Sequence, residues 1–200
     1  TKVGHTGTLD PAATGVLVLC LGAATRLAEC ISSLEKVYRA EFTFGVRTDT
    51  HDVQGRVVAI QGAAELREDQ VREKMSQFCG LIAQKPPVFS AVCTHGERSY
   101  RLARRGEMVD LPPRLVRIDR FELIRFTPGR FATGLFEICC SSGTYVRSLC
   151  RDLGEALGCG AFVSFLVRVR VGKFHVNEAV PLEDLERSAG NGRLHEYVVN

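Results

Sequence analysis

The residues best suited to chemistry stand in the run Gly4-His5-Thr6-Gly7-Thr8-Leu9-Asp10-Pro11-Ala12-Ala13-Thr14-Gly15-Val16-Leu17. A single acid, Asp10, directly precedes Pro11. Proline pushes the residue ahead of it into extended backbone, so Asp10 is expected on a stiff loop and not inside a helix. The glycines allow backbone to approach closely, or to take up φ > 0, beside that acid. The apolar run 16–21 reads as a buried strand that anchors the loop. A carboxylate displayed on a rigid turn between ordered elements is what a catalytic group needs. The same residues also fit a Thr/Gly-rich turn whose Asp caps its own backbone. Residue types alone leave both readings open.

Holding such a loop requires ordered elements around it. Residues 25–34 read as a helix. Tyr38, Ala40, Phe42 and Phe44 alternate with Arg39, Glu41 and Thr43, the period-2 pattern of a strand with one buried face. A polar connection over 45–55 leads to a short strand at 56–60. Val71, Met75, Phe78 and Cys79 fall on one helical stripe, which Gly80 ends. Pro86-Pro87 must be loop or sheet edge. Residues 118–125 and 135–140 read as strands around a Pro128-Gly129 turn. Val146, Leu149, Cys150, Leu153, Ala156 and Leu157 keep helical spacing. Val167-Arg168-Val169-Arg170-Val171 alternates strictly, which predicts a strand with a basic face. Strands outnumber helices, and several follow one another without a helix between. That order predicts an α+β fold with a mixed, mostly antiparallel sheet and flanking helices, against a doubly wound one. Without repeats or long polar linkers, residues 1–200 read as a single domain.

Composition narrows the classes. The formal charge is +3, but arginine outnumbers lysine 21 to 5. From Arg98 to Arg130 there are nine arginines against four acids, a local excess of +5. Arginine forks match phosphate geometry and stack on bases, so this segment suits a nucleic-acid backbone. No apolar run approaches membrane-spanning length, and no signal-peptide pattern opens the chain. Eight cysteines without Cys-x-x-Cys or zinc spacing read as reduced, mostly buried thiols of a cytoplasmic protein. Cys20, Cys30, Cys79, Cys139, Cys140 and Cys150 lie in apolar runs or on apolar faces. There is no P-loop, and Gly158-Cys159-Gly160 lacks the rest of a dinucleotide fingerprint. Asp49 and Asp52 lack EF-hand spacing and read as residues that pin a turn.

The opening motif resembles the catalytic motif of the TruB family of pseudouridine synthases. Three further blocks agree in order: Lys36-Val37-Tyr38-Arg39-Ala40 running on to Arg47-Thr48-Asp49-Thr50-His51-Asp52, then Pro86-Pro87-Val88-Phe89-Ser90-Ala91-Val92, then Gly143-Thr144-Tyr145-Val146-Arg147-Ser148-Leu149. The likeness extends from residue 2 to about residue 175. It implies a pseudouridine synthase fold with a central RNA-binding cleft, and isomerisation of one uridine in the T-loop of tRNA, at the site named position 55. By motif match Asp10 is the nucleophile, Arg147 the active-site arginine that keeps it charged and aimed, and Tyr38 the tyrosine that stacks on the target base. His5 matches the histidine that fills the space a flipped base leaves, and Leu166 matches a pocket-wall leucine. Arg104 and Arg105 are the expected phosphate contacts.

Isomerisation requires no electron or group carrier, so neither cofactor nor metal is expected. The partner expected is the T-arm of tRNA, with no obligate protein partner. Family members carry a further N-terminal strand and often a small C-terminal RNA-binding domain, both expected to be absent here. Two rival readings share these residues: the catalytic subunit of an RNA-guided synthase, and a non-catalytic tRNA-binding or folding module.

Overall fold

The structure, a computed structural model, describes residues 2–94 and 96–198. The chain opens with three short strands, β1 (Val3–His5), β2 (Ala13–Gly15) and β3 (Leu19–Leu21), followed by a short helix α1 (Ala28–Ser32). The long strand β4 (Lys36–Phe44) leads to the β5–β6 hairpin (Val46–Thr48 and Val57–Ile60), helix α2 (Glu68–Met75) and strand β7 (Gly80–Gln84). A small insertion holds β8 (Cys93–Thr94), β9 (Glu97–Arg98) and α3 (Ser99–Arg104). The second half contributes β10 (Arg114–Thr127), β11 (Thr133–Cys140), α4 (Val146–Ala156), β12 (Ala161–Val171), β13 (Phe174–His175) and α5 (Leu182–Gly190).

One seven-stranded sheet dominates, with the order β13-β12-β4-β11-β10-β7 and β2 attached to β12. Every pairing in it is antiparallel except β2 with β12. The expected α+β class with a mostly antiparallel sheet is therefore the observed one. Alternation explains the core: Tyr38, Ala40, Phe42 and Phe44 all face inward from β4. The rings of Phe42 and Phe136 lie 4.5 Å apart, and Phe121 and Phe136 5.2 Å apart, in tilted geometry. Against this face packs α4, whose Val146, Leu149, Cys150 and Leu153 form its buried stripe.

Several local expectations fail, each for a tertiary reason. The run 16–21 is not a buried strand: only Val16 and Cys20 are buried, while Leu17, Leu19 and Leu21 are more than two-fifths exposed. The strand there is confined to β3, paired with β1 in a separate two-stranded sheet, so one of its faces meets no core. The helix expected at 25–34 divides into a 3-10 turn, Gly22–Leu27, and the five-residue α1. Cys30 and Cys79 are exposed and not on buried faces. The expected basic face of β12 is divided: Arg168 is 2% exposed, while Arg170, beyond a register shift, is half-buried and pairs with Glu35. Strict alternation says that two faces differ, but not which of them is covered.

Candidate active site

Asp10 sits in the loop between β1 and β2, where the Ala13 amide donates to the Asp10 carbonyl at 2.8 Å and closes a turn around Pro11. The far end of the loop is fixed by β2. Ala13, Thr14 and Gly15 pair in parallel with Leu166, Val167 and Arg168 of β12. Gly15 has φ +105°, and a Cβ there would meet the Arg168 carbonyl oxygen at 2.2 Å. Only glycine fits that approach. A segment near the chain's start is thus seated on a strand 150 residues later.

Arg147 enters from the first turn of α4. Its Nε donates to one Asp10 carboxylate oxygen at 2.8 Å and its NH2 nitrogen donates to the other at 2.7 Å. This is the two-pronged arginine–carboxylate geometry that fixes direction as well as charge. The Arg147 side chain is 4% exposed and that of Asp10 32%. The remaining guanidinium protons are also engaged, with donation to the Thr50 carbonyl at 3.2 Å and the Phe89 carbonyl at 3.1 Å. The start of α4 is held in turn by Gln84, which accepts from the Tyr145 amide at 2.8 Å and donates to its carbonyl at 3.1 Å. The blocks 36–52, 86–92 and 143–149 therefore converge on one guanidinium.

Asp52 is the participant that sequence reasoning missed. Its carboxylate lies 3.7 Å from the NH1 nitrogen of Arg147 and is 7% exposed at the side chain. It also accepts from the Thr50 hydroxyl at 2.6 Å and the Gln54 amide at 3.0 Å. The expectation that Asp52 pins a turn is correct yet incomplete, because the turn it pins carries the Thr50 carbonyl to Arg147. His51, between them, takes the left-handed φ of 61°. Spacing along the chain carries no trace of this, since Arg147 is 95 residues away.

The other expected residues divide. Leu166 lines the same cavity as Asp10, Arg147, Asp52, Ala13 and Val163. Tyr38 is buried on β4, and burial foremost pushes its hydroxyl up to about 12, with the Asp10 charge adding to the effect. It is therefore a neutral donor at ordinary pH. His5 stands exposed at the end of β1, its Nδ1 accepting from the Gly7 amide at 3.4 Å, and does not line the cavity. Arg104 and Arg105 lie away from it in the insertion, exposed at the end of α3. The Arg105 guanidinium is bonded to both oxygens of Glu97 and to Glu107. Arg104 instead lies 5.6 Å over the Tyr100 ring.

One group of metal-ligand type stands elsewhere, with atoms of Glu35, Asp119 and Cys139 within 4.8 Å of one another. Arg170 already pairs with Glu35 and Arg117 with Asp119. Burial pushes the Cys139 thiol up to about 11, so it is a neutral thiol and a poor metal ligand.

Comparison with known proteins agrees with this geometry. Residues 1–146 match the family described as TruB family pseudouridylate synthase (N terminal domain), and residues 147–197 match the tRNA pseudouridylate synthase B C-terminal domain. The chain is 50% identical over 193 residues to a tRNA pseudouridine synthase B of Symbiobacterium thermophilum, covering 96% of this chain and 64% of that protein. It is 46% identical over 202 residues to the protein of that name from Pelotomaculum thermopropionicum, covering 99% and 63%. Among solved structures, a chain of a Cbf5-Nop10-Gar1 complex is similar, with TM-score 0.69 and 30% identity over 98% of this chain and 50% of the other. The chain thus spans somewhat under two thirds of the curated relatives it matches. The motif order, the sheet and these matches converge, and the chain belongs to the TruB family of pseudouridylate synthases.

Proposed function

We propose that this protein isomerises uridine to pseudouridine in the T-loop of tRNA, at position 55, with Asp10 as nucleophile. The observation that carries the reading is the two-pronged Asp10–Arg147 contact beside a cavity walled by Leu166. The names of the relatives supply the substrate class. The reaction breaks the bond from N1 to the ribose, turns the base, and forms a bond from C5 to the same ribose carbon. The C5 proton leaves and N1 gains one. Attack on the ribose carbon and addition to the base both require an ionised carboxylate. Arg147 aims that carboxylate with two parallel donors.

Tyr38, neutral and buried, is assigned to stack on the base and to exchange the proton. Reaching a base inside a folded T-loop requires flipping it out, at a cost of a few kcal/mol. His5, exposed beside the loop, suits the role of filling the gap. Arg104 is the better-placed phosphate contact of the two expected, because Arg105 already holds two carboxylates. The chemistry requires no cofactor or metal.

The single-domain reading is favoured by β12, which pairs along β4 and so joins the two regions matched by family models into one sheet. A cytoplasmic protein acting on tRNA without an obligate protein partner is the corresponding cellular reading. Among the described residues no helix is long and apolar enough to cross a membrane.

Tritium release tests the proposal. A tRNA transcript labelled at C5 of its uridines loses label at every turnover. The chain should release it and Asp10→Asn should not, while both bind the RNA. Binding without release by the parent would instead mark a partner-dependent subunit or a binding module.

A further inference from the structure

We infer that Arg168 is a positioning residue for the isomerisation, tying both ends of the Asp10 loop to β12 beside Tyr38. The role in catalysis rests on the function proposed above; the tie itself does not. Arg168 is 2% exposed. Taking a guanidinium out of water is costly unless its protons are satisfied. Its Nε donates to the Val16 carbonyl at 2.8 Å and its NH2 nitrogen to the Gly7 carbonyl at 3.0 Å. Gly7 and Val16 bracket Asp10. The main chain adds a third tie, with the Val16 amide donating to the Arg168 carbonyl at 2.8 Å.

Three details set the guanidinium under the loop. The register of β12 against β4 shifts between Arg168 and Arg170, an irregularity of the kind that re-aims a side chain. Arg168 lies directly across the ladder from Tyr38. A Cβ on Gly7 would lie 3.6 Å from the NH1 nitrogen of Arg168 and 3.9 Å from Cε of the buried Lys36. The loop that carries Asp10 therefore rests on the buried Arg168 guanidinium, while the Lys36 ammonium beside it is held by the Ser32 and Leu34 carbonyls. The division of labour is clear: Arg147 orients the Asp10 carboxylate, and Arg168 orients the backbone that bears it. A rigid planar fork can hold two carbonyls at fixed separation, whereas a lysine ammonium is a single mobile point.

The test uses the whole chain and Arg168→Lys, read by amide hydrogen exchange and by single-turnover tritium release. Amides of residues 8–15 should exchange at least about tenfold faster in the variant while those of β10 and β11 keep the parent's rates. Release should slow about 10–100-fold with tRNA affinity within about threefold, since small misplacement of a reacting group has that scale of effect. Parent-like exchange across the loop overturns the inference, whatever turnover does. Faster loop exchange with unchanged release overturns it too, because the chemistry would then not depend on the tie. If the parent releases no tritium, the functional reading fails while exchange still decides the tie. Should Arg168→Lys not fold, the unaltered chain still answers by NMR. The Arg168 Nε proton and the Val16 amide must show the same protection factor, each relative to its own free exchange rate, since opening the loop frees both, and a clearly smaller protection of the Nε proton overturns the inference.

Discussion

The Asp10 loop and the insertion at 93–105 are both bound by arginines, in opposite ways. Under the loop, Arg147 and Arg168 are 4% and 2% exposed, and their donors reach residues 58 to 161 positions away. In the insertion, Arg98, Arg101, Arg104 and Arg105 are exposed, and their partners lie within eight residues. The sequence presents one arginine-rich protein; the fold sorts those arginines into two uses. Buried guanidinia fix geometry over long range, where low dielectric makes each contact strong and each loss costly. Exposed ones form a local surface whose contacts are screened by salt.

The comparison can be broken most directly at its centre. Asp10→Asn should cut tritium release on the order of 10⁴-fold or more, the scale seen when a nucleophile is removed, while RNA affinity measured by filter binding hardly moves. Arg147→Lys should follow at about 10²–10³-fold in the chemical step, since it keeps charge but loses the fork and its fixed donors. Retained activity in that variant would mean that charge alone suffices. Gly15→Ala should lower stability to urea by about 1–3 kcal/mol, because the new Cβ collides with the Arg168 carbonyl. The insertion should respond differently: Arg104→Ala should weaken tRNA binding, lower the salt slope by about one and leave the chemical step unchanged. An equal loss in the chemical step would erase the distinction between the two regions.

The smallest effect concerns acid. Burial, then the charges of Arg151 and Arg147, hold His51 down at about 4, below its ordinary 6.5. Its folded form binds fewer protons than the unfolded chain across that window, so it costs stability as pH falls from about 6.5 through 4. His51→Gly removes the titrating group and suits the left-handed backbone. Its urea midpoint should therefore fall less steeply than the parent's over the same range. A parallel decline in both proteins would show that other groups govern acid sensitivity.

What was legible in the sequence follows from how far each signal reaches. Alternation at 38–44 and helical spacing at 146–157 are local and dense, and both elements are where the pattern puts them. Asp10 and Arg147 were legible because each stands in a run of many fixed types, which reflects the site without requiring its geometry. Asp52 stands in such a run as well, but its approach to Arg147 and the ties of Arg168 to Gly7 and Val16 exist only once distant segments have met. The strand at 167–171 was legible as a strand, but the irregularity between Arg168 and Arg170 breaks its alternation, burying Arg168 and Val171 and leaving Arg170 half-buried. The exposed leucines of β3 show the same limit from the other side, an apolar run whose covering element no local pattern specifies.

The parallel pairing of β2 with β12 has a consequence for the protein's birth. A ribosome releases Asp10 early and Leu166 to Arg168 more than 150 residues later, so the loop waits exposed while most of the chain is made. Contacts so distant in sequence close late and slowly. Seating of the Asp10 loop, and with it the Asp10–Arg147 contact, is thereby deferred until the sheet is complete.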